Sequence, residues 1–217
     1  MRKVILLSTL FAALFAGGSA HASGIIVYDN TVLDTNFGLD LTGLFTAVGD
    51  SVVLQNNTPT LAFGLAQVQF FNVGSAGSFD ATLQFFTPGS PVGAQLGTDY
   101  TSTGIAIGDN DYATIDFTLG GITLPDSLVF MVSVSNLTSG VLPQLELYGP
   151  TPAVGSNTPA SAIAFDGVSY NTQDTSGIGS GNPYFQLQSI PEPGATFLMG
   201  SGLFALAMYV RRRRIAR

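Results

Sequence analysis

The chain has 217 residues and a formal net charge of −7, with 46 % hydrophobic side chains, a single histidine and no cysteine. All of its Lys and Arg residues lie at the two ends, and residues 23–190 contain no Lys, Arg, His or Cys. That composition excludes disulfides, phosphate and nucleic-acid binding through basic side chains, Ser-His-Asp and Cys-His catalysis, and Schiff-base chemistry.

Residues 1–22 have the three parts of a secretory signal peptide. Arg2 and Lys3 form a positive start, Val4 to Ala16 is an apolar run, and Ala20-His21-Ala22 offers small residues at both recognised positions. Cleavage is expected after Ala22, with Ala20 and Ala22 as the recognition pair, and it would also remove the single histidine. The apolar run is shorter than the ~20 residues of a membrane-spanning helix.

Residues 23–189 read as one exported domain, with a chain long enough to bury a sizeable core. All of the chain's 14 acidic side chains except Glu192 fall within it. Its pattern is that of strands. Ala66, Val68 and Phe70 alternate with Gln67 and Gln69, and Ala81, Leu83 and Phe85 with Thr82 and Gln84. Likewise Ala113, Ile115, Phe117 and Leu119 alternate with Tyr112, Thr114, Asp116 and Thr118. Further strands are expected at 25–28, 51–55, 128–135, 145–148, 162–165 and 184–188. Turn residues separate them at 87–91, 108–111, 149–152 and 176–183. Many short strands, each with one apolar face, predict an all-β, antiparallel two-sheet sandwich of jelly-roll type. A β-helix is the competing architecture, but no fixed repeat is visible.

Phe71 and Phe86 each follow an inward-facing Phe and therefore point outward, which makes them a candidate patch for a glycan or a protein. Asp109-Asn110-Asp111 supplies alternate acids in a turn, so Asp109 and Asp111 are candidate Ca²⁺ ligands. The bland reading, an Asx turn that hydrogen-bonds its own backbone, is favoured. Among enzymes only a carboxylate-based glycosidase survives the composition, since that chemistry needs two acids about 5–9.5 Å apart. The domain lacks Trp, a common sugar-stacking residue, and no catalytic residue or cofactor is assigned.

The C-terminal segment, residues 190–217, begins Ile190-Pro191-Glu192-Pro193-Gly194, an extended stretch by virtue of its prolines. Residues 195–210 carry no charge and read as a short transmembrane helix of about 24 Å. Arg211, Arg212, Arg213 and Arg214 open the basic tail, residues 211–217, and fix the cytoplasmic side by the positive-inside rule.

Pro-Glu-Pro, a short Gly/Ala/Leu-rich helix and a terminal arginine cluster resemble the PEP-CTERM sorting signal. Gly194 and the trailing Ile-Ala-Arg depart from its commonest form. The resemblance implies recognition of Pro191, Glu192 and Pro193 by an exosortase in a Gram-negative bacterium, with the helix holding the motif at the inner membrane. The run from Phe79 to Gly155 is also similar to a β-sandwich domain met in PEP-CTERM proteins. Together these imply an exported protein, transiently membrane-anchored and then delivered to the cell surface or biofilm matrix. Its implied role is structural or adhesive, with exopolysaccharide as the candidate partner and a carbohydrate-binding module as the alternative.

Overall fold

The computed structural model describes residues 24–190. The expected signal peptide with its Ala20 and Ala22, the Pro191-Glu192-Pro193 motif, the transmembrane helix and the arginine cluster lie outside the described residues.

The described residues form fourteen strands and no helix. Eight consecutive strands make the frame. They are β2 (Asp34–Asp40), β3 (Ala47–Val53), β4 (Ala62–Asn72), β5 (Gly77–Pro88), β6 (Val92–Ile107), β7 (Tyr112–Thr123), β8 (Ser127–Ser135) and β9 (Pro143–Tyr148). One sheet has the order β2-β9-β4-β7 and the other β3-β8-β5-β6, every pair antiparallel. The chain changes sheets at every step except from β5 to β6, which is the connectivity of a jelly roll. The remaining strands extend both sheets. β11 (Ser161–Phe165) and β12 (Tyr170–Asp174) add to the β3 edge, where β10 (Ser156–Asn157) also pairs. β14 (Phe185–Ser189) lies along β4 beyond β9, β1 (Ile26–Asn30) lies outside β14, and β13 (Asn182–Pro183) pairs with β9.

The two-residue period of the apolar pattern puts one face of each sheet inside. Ala66, Val68 and Phe70 of β4, Leu83 and Phe85 of β5, Phe117 of β7 and Phe130 of β8 are buried in one continuous core. Aromatic rings cross between the sheets. Phe185 stacks on Phe130 with centroids 4.0 Å apart, and Phe70 meets Phe79 edge to face at 5.1 Å. Burying each such side chain contributes roughly 1.5–3 kcal/mol. β3 and β8 lie so close at Gly49 that a Cβ there would stand 1.7 Å from the Phe130 carbonyl oxygen, so only glycine fits.

A second, smaller apolar cluster lies on the outer side of the β3-β8-β5 face, where Phe86, Val129, Met131 and Ile163 pack together with Phe165 and Tyr170.

Candidate functional site

The outer face of the β2-β9-β4-β7 sheet gathers the outward residues of three strands. β4 presents Gln67, Gln69 and Phe71, β7 presents Tyr112, Thr114 and Asp116, and β9 presents Gln144, Glu146 and Tyr148. Each set alternates with buried core residues. Register then pairs Phe71 with Tyr112, Gln69 with Thr114 and Gln67 with Asp116.

Phe71 and Tyr112 form a ring pair, centroids 4.8 Å apart, with Tyr112 41 % exposed. Beside it run two parallel hydrogen-bond relays. Tyr148 O–H donates to Gln69 Oε1 at 2.7 Å, and Gln69 Nε2 donates to Thr114 Oγ1 at 3.0 Å. Tyr184 O–H donates to Gln67 Oε1 at 2.5 Å, and Gln67 Nε2 donates to Asp116 Oδ1 at 2.8 Å. Tyr148 and Tyr184 meet edge to face at 4.8 Å. Each relay starts on a buried phenol and ends on an exposed β7 side chain. The face is thereby fixed in geometry before any ligand arrives.

Glu146 forms the base of this face. It is only 1 % exposed, and its Oε2 is buried with no hydrogen-bond partner. Burial pushes its carboxyl up to about 8, and the neighbouring Asp34 carboxylate adds to the rise. The Tyr148 phenol is pushed up to about 12, again by burial first and then by Asp34. Tyr112 is raised by burial and by Asp34 and Glu146. Asp34, Glu146, Tyr112 and Tyr148 thus form one electrostatically coupled group drawn from β2, β9 and β7.

A different polar cluster lies inside the sandwich. Asp50 shares the inward parity of Val48 and Val52, and it is 1 % exposed. Asn182 Nδ2 donates to Asp50 Oδ2 at 2.9 Å and to the carbonyls of Thr158 and Ser161, both at 2.7 Å. Its Oδ1 accepts from Ala160 N at 3.1 Å. Asn157 Nδ2 bonds the Tyr28 hydroxyl at 3.0 Å and Asp50 Oδ2 at 3.3 Å. Burial raises the Asp50 carboxyl to about 8, only partly offset by the Asn182, Ser51 and Asn157 donors. The cluster is closed to solvent and organises the 158–161 turn.

The structure separates the two outward phenylalanines. Phe71 is half-buried on the face just described, whereas Phe86 belongs to the other sheet and is 8 % exposed. Tyr170 from β12 lies over Phe86 at 6.2 Å, so Phe86 is part of the smaller core and the two do not form one patch. Asp109 and Asp111 occupy the β6–β7 turn. Asn110, in the left-handed region at φ 49°, donates to Asp109 Oδ1 at 2.8 Å, and Tyr112 N donates to Asp111 Oδ1 at 2.8 Å. These are local contacts between neighbouring residues, without the bond to the backbone two residues on that defines an Asx turn. Among the described residues no cluster of three or more metal-ligating side chains occurs. The sequence reading missed Asp34, Tyr112, Glu146 and Tyr148 as site residues. Their signal was the outward parity of Gln144, Glu146 and Tyr148 in β9.

The two ends of the domain are joined. Ile25 N donates to Ser189 Oγ at 2.9 Å, and Ser189 N donates to the Ile25 carbonyl at 3.0 Å. One residue later, Ile190 N donates to the Ala62 carbonyl at 2.7 Å.

Residues 189–214 match the PEP-CTERM protein-sorting motif, so the chain carries this sorting signal at its C-terminal end. No curated protein and no solved structure matches the chain.

Proposed function

We propose that this chain is an exported protein sorted by an exosortase, and that its β-sandwich serves a structural or adhesive role at the cell surface or in exopolysaccharide-associated matrix. The observation that carries the sorting is the PEP-CTERM match over residues 189–214. It starts on Ser189, the last residue of β14, so removing the chain beyond Ile190 deletes none of the strands among the described residues. In this reading Pro191, Glu192 and Pro193 are recognised by the exosortase. Residues 195–210 hold the protein in the inner membrane until then, and Arg211 to Arg214 set its orientation.

The domain is read as non-enzymatic. With no His, Cys, Lys or Arg between residues 23 and 190, positioned carboxylates are the remaining catalytic groups. The carbohydrate-binding reading draws on one specific observation, the half-exposed Phe71–Tyr112 pair above fixed polar relays.

C-terminal peptide and intact-mass spectrometry on membrane and extracellular fractions tests the sorting. The expected result is an extracellular form that ends near Pro191-Glu192-Pro193. A protein found only in membranes and still ending at Arg217 overturns it.

A further inference from the structure

We propose that the outer face of the β2-β9-β4-β7 sheet binds a neutral polysaccharide. The chain would seat on the Phe71–Tyr112 rings, with Thr114 and Asp116 at the exposed end of the face. This deepens the adhesive reading and rests on it, while the sorting stands apart.

Sugar rings present C–H faces that pack on aromatic rings and hydroxyls that need directional partners. The Phe71–Tyr112 pair, with Tyr112 41 % exposed, supplies the first requirement. The relays supply the second. Thr114 Oγ1 already accepts from Gln69, so its own O–H is free to donate outward. Asp116 accepts from Gln67 through Oδ1, leaving Oδ2 as an exposed acceptor. These two residues stand two apart on one strand, and so on one side of the sheet.

The charge distribution selects the ligand class. Asp34 and Asp116 are exposed at the face, and no basic side chain occurs between residues 23 and 190. A uronic-acid or sulfated polymer would meet like charge with nothing to offset it. A neutral polymer meets only hydrogen-bonding groups and rings.

The full chain is tested in a polyoxyethylene detergent, which carries no sugar, by native affinity electrophoresis. Its net charge of −7 drives migration. Gels contain a mixed-linkage β-glucan, a galactomannan, dextran, alginate or no polymer. Retardation is expected in at least one neutral polymer and not in alginate. Phe71→Ala and Thr114→Val should each weaken it about tenfold, a loss on the scale of one well-placed contact. Thr101→Val, on the opposite sheet, should leave it unchanged. Thr114 is exposed, so its variant keeps the test informative if Phe71→Ala fails to fold. Retardation by no neutral polymer, retardation by alginate alone, or wild-type binding in both site variants overturns the proposal. A correctly sorted chain that binds none of these polymers removes the glycan face and leaves the sorting in place. A chain that binds but keeps Arg217 does the reverse.

Discussion

Asp50→Asn should make the fold less sensitive to pH over a range where the natural protein loses stability. The Asp50 carboxyl holds its proton in the folded chain up to about pH 8, against an ordinary value of 3.8. The unfolded chain releases that proton far earlier. Between those values the folded state binds one more proton than the unfolded state, so raising the pH favours unfolding. The Asp50 contribution is complete below about pH 4 and is lost as pH climbs towards 8. Each pH unit inside the window removes about 1.4 kcal/mol, or roughly 3 kcal/mol between pH 5 and pH 7. That is a large share of the ~5–15 kcal/mol that holds a typical domain folded.

Asparagine is a fair isostere at this position. Asn182 Nδ2 has three acceptors, Asp50 and the carbonyls of Thr158 and Ser161, for two hydrogens, so it stays satisfied without the carboxylate. The new amide can donate to Asn157 once that side chain turns its oxygen inward. Urea unfolding of the full chain in mild detergent, followed by near-UV circular dichroism at several pH values, reads the effect. The natural protein should lose midpoint steadily from about pH 5 to pH 8, and the variant should lose it less steeply, by about the Asp50 share of roughly 3 kcal/mol between pH 5 and pH 7, with the buried Glu146 carboxyl supplying the remaining slope. If stability rises over that range, or if the two proteins run parallel, the assignment of a neutral buried Asp50 is wrong.

Asn182→Ala should destabilise by roughly 3 kcal/mol, because Ala160 N loses its side-chain acceptor while the Thr158 and Ser161 carbonyls and Asp50 each lose a donor within a buried site. Urea midpoints check it, and a loss below about 1 kcal/mol would mean that water replaces the amide. Ser189→Ala should cost about 1 kcal/mol by removing the acceptor of Ile25 N, and amide exchange at Ile25 should accelerate while the β3–β8 core stays protected.

The alternation of β4, β5 and β7 was legible because each strand buries one face and wets the other, so apolar and polar residues alternate strictly. β6 was not, since among its inward positions only Ile105 and Ile107 are buried, and its Gly-Thr-Ser-rich sequence carries no period. β2 was hidden for a similar reason. Its residues Asp34 and Asn36 are exposed, Asn36 has φ 57°, and Phe37 is 48 % exposed. Parity placed Phe71 and Phe86 on outer faces, but what covers an outer face is decided elsewhere in the chain. Tyr170 covers Phe86 and belongs to a strand, Tyr170–Asp174, that reads as polar. The raised carboxyl of Glu146 owes part of its shift to Asp34, more than a hundred positions away, which no local pattern reports.

A domain without basic residues must handle its carboxylates by other means than ion pairs, and the structure divides them into two groups. Three surface acids are held ionised by local donors. Asp80 is lowered by the Asn136 side chain at 2.7 Å and by Gly104 N at 2.7 Å, Asp166 by Ser169 N and Val168 N, and Asp174 by Ser176. Buried acids are instead kept neutral, Asp50 among amides and Glu146 beneath a phenol-rich face. The two groups respond to pH in opposite directions. The surface group supports folding above the ordinary carboxylate range and loses that support as acid protonates it, whereas the buried group is lost as the medium turns alkaline. Their combined effect places maximum stability near the ordinary carboxylate value, at about pH 4. The same division explains how the sandwich keeps a uniformly negative exterior, unsuited to anionic polymers, over a core that contains no net charge.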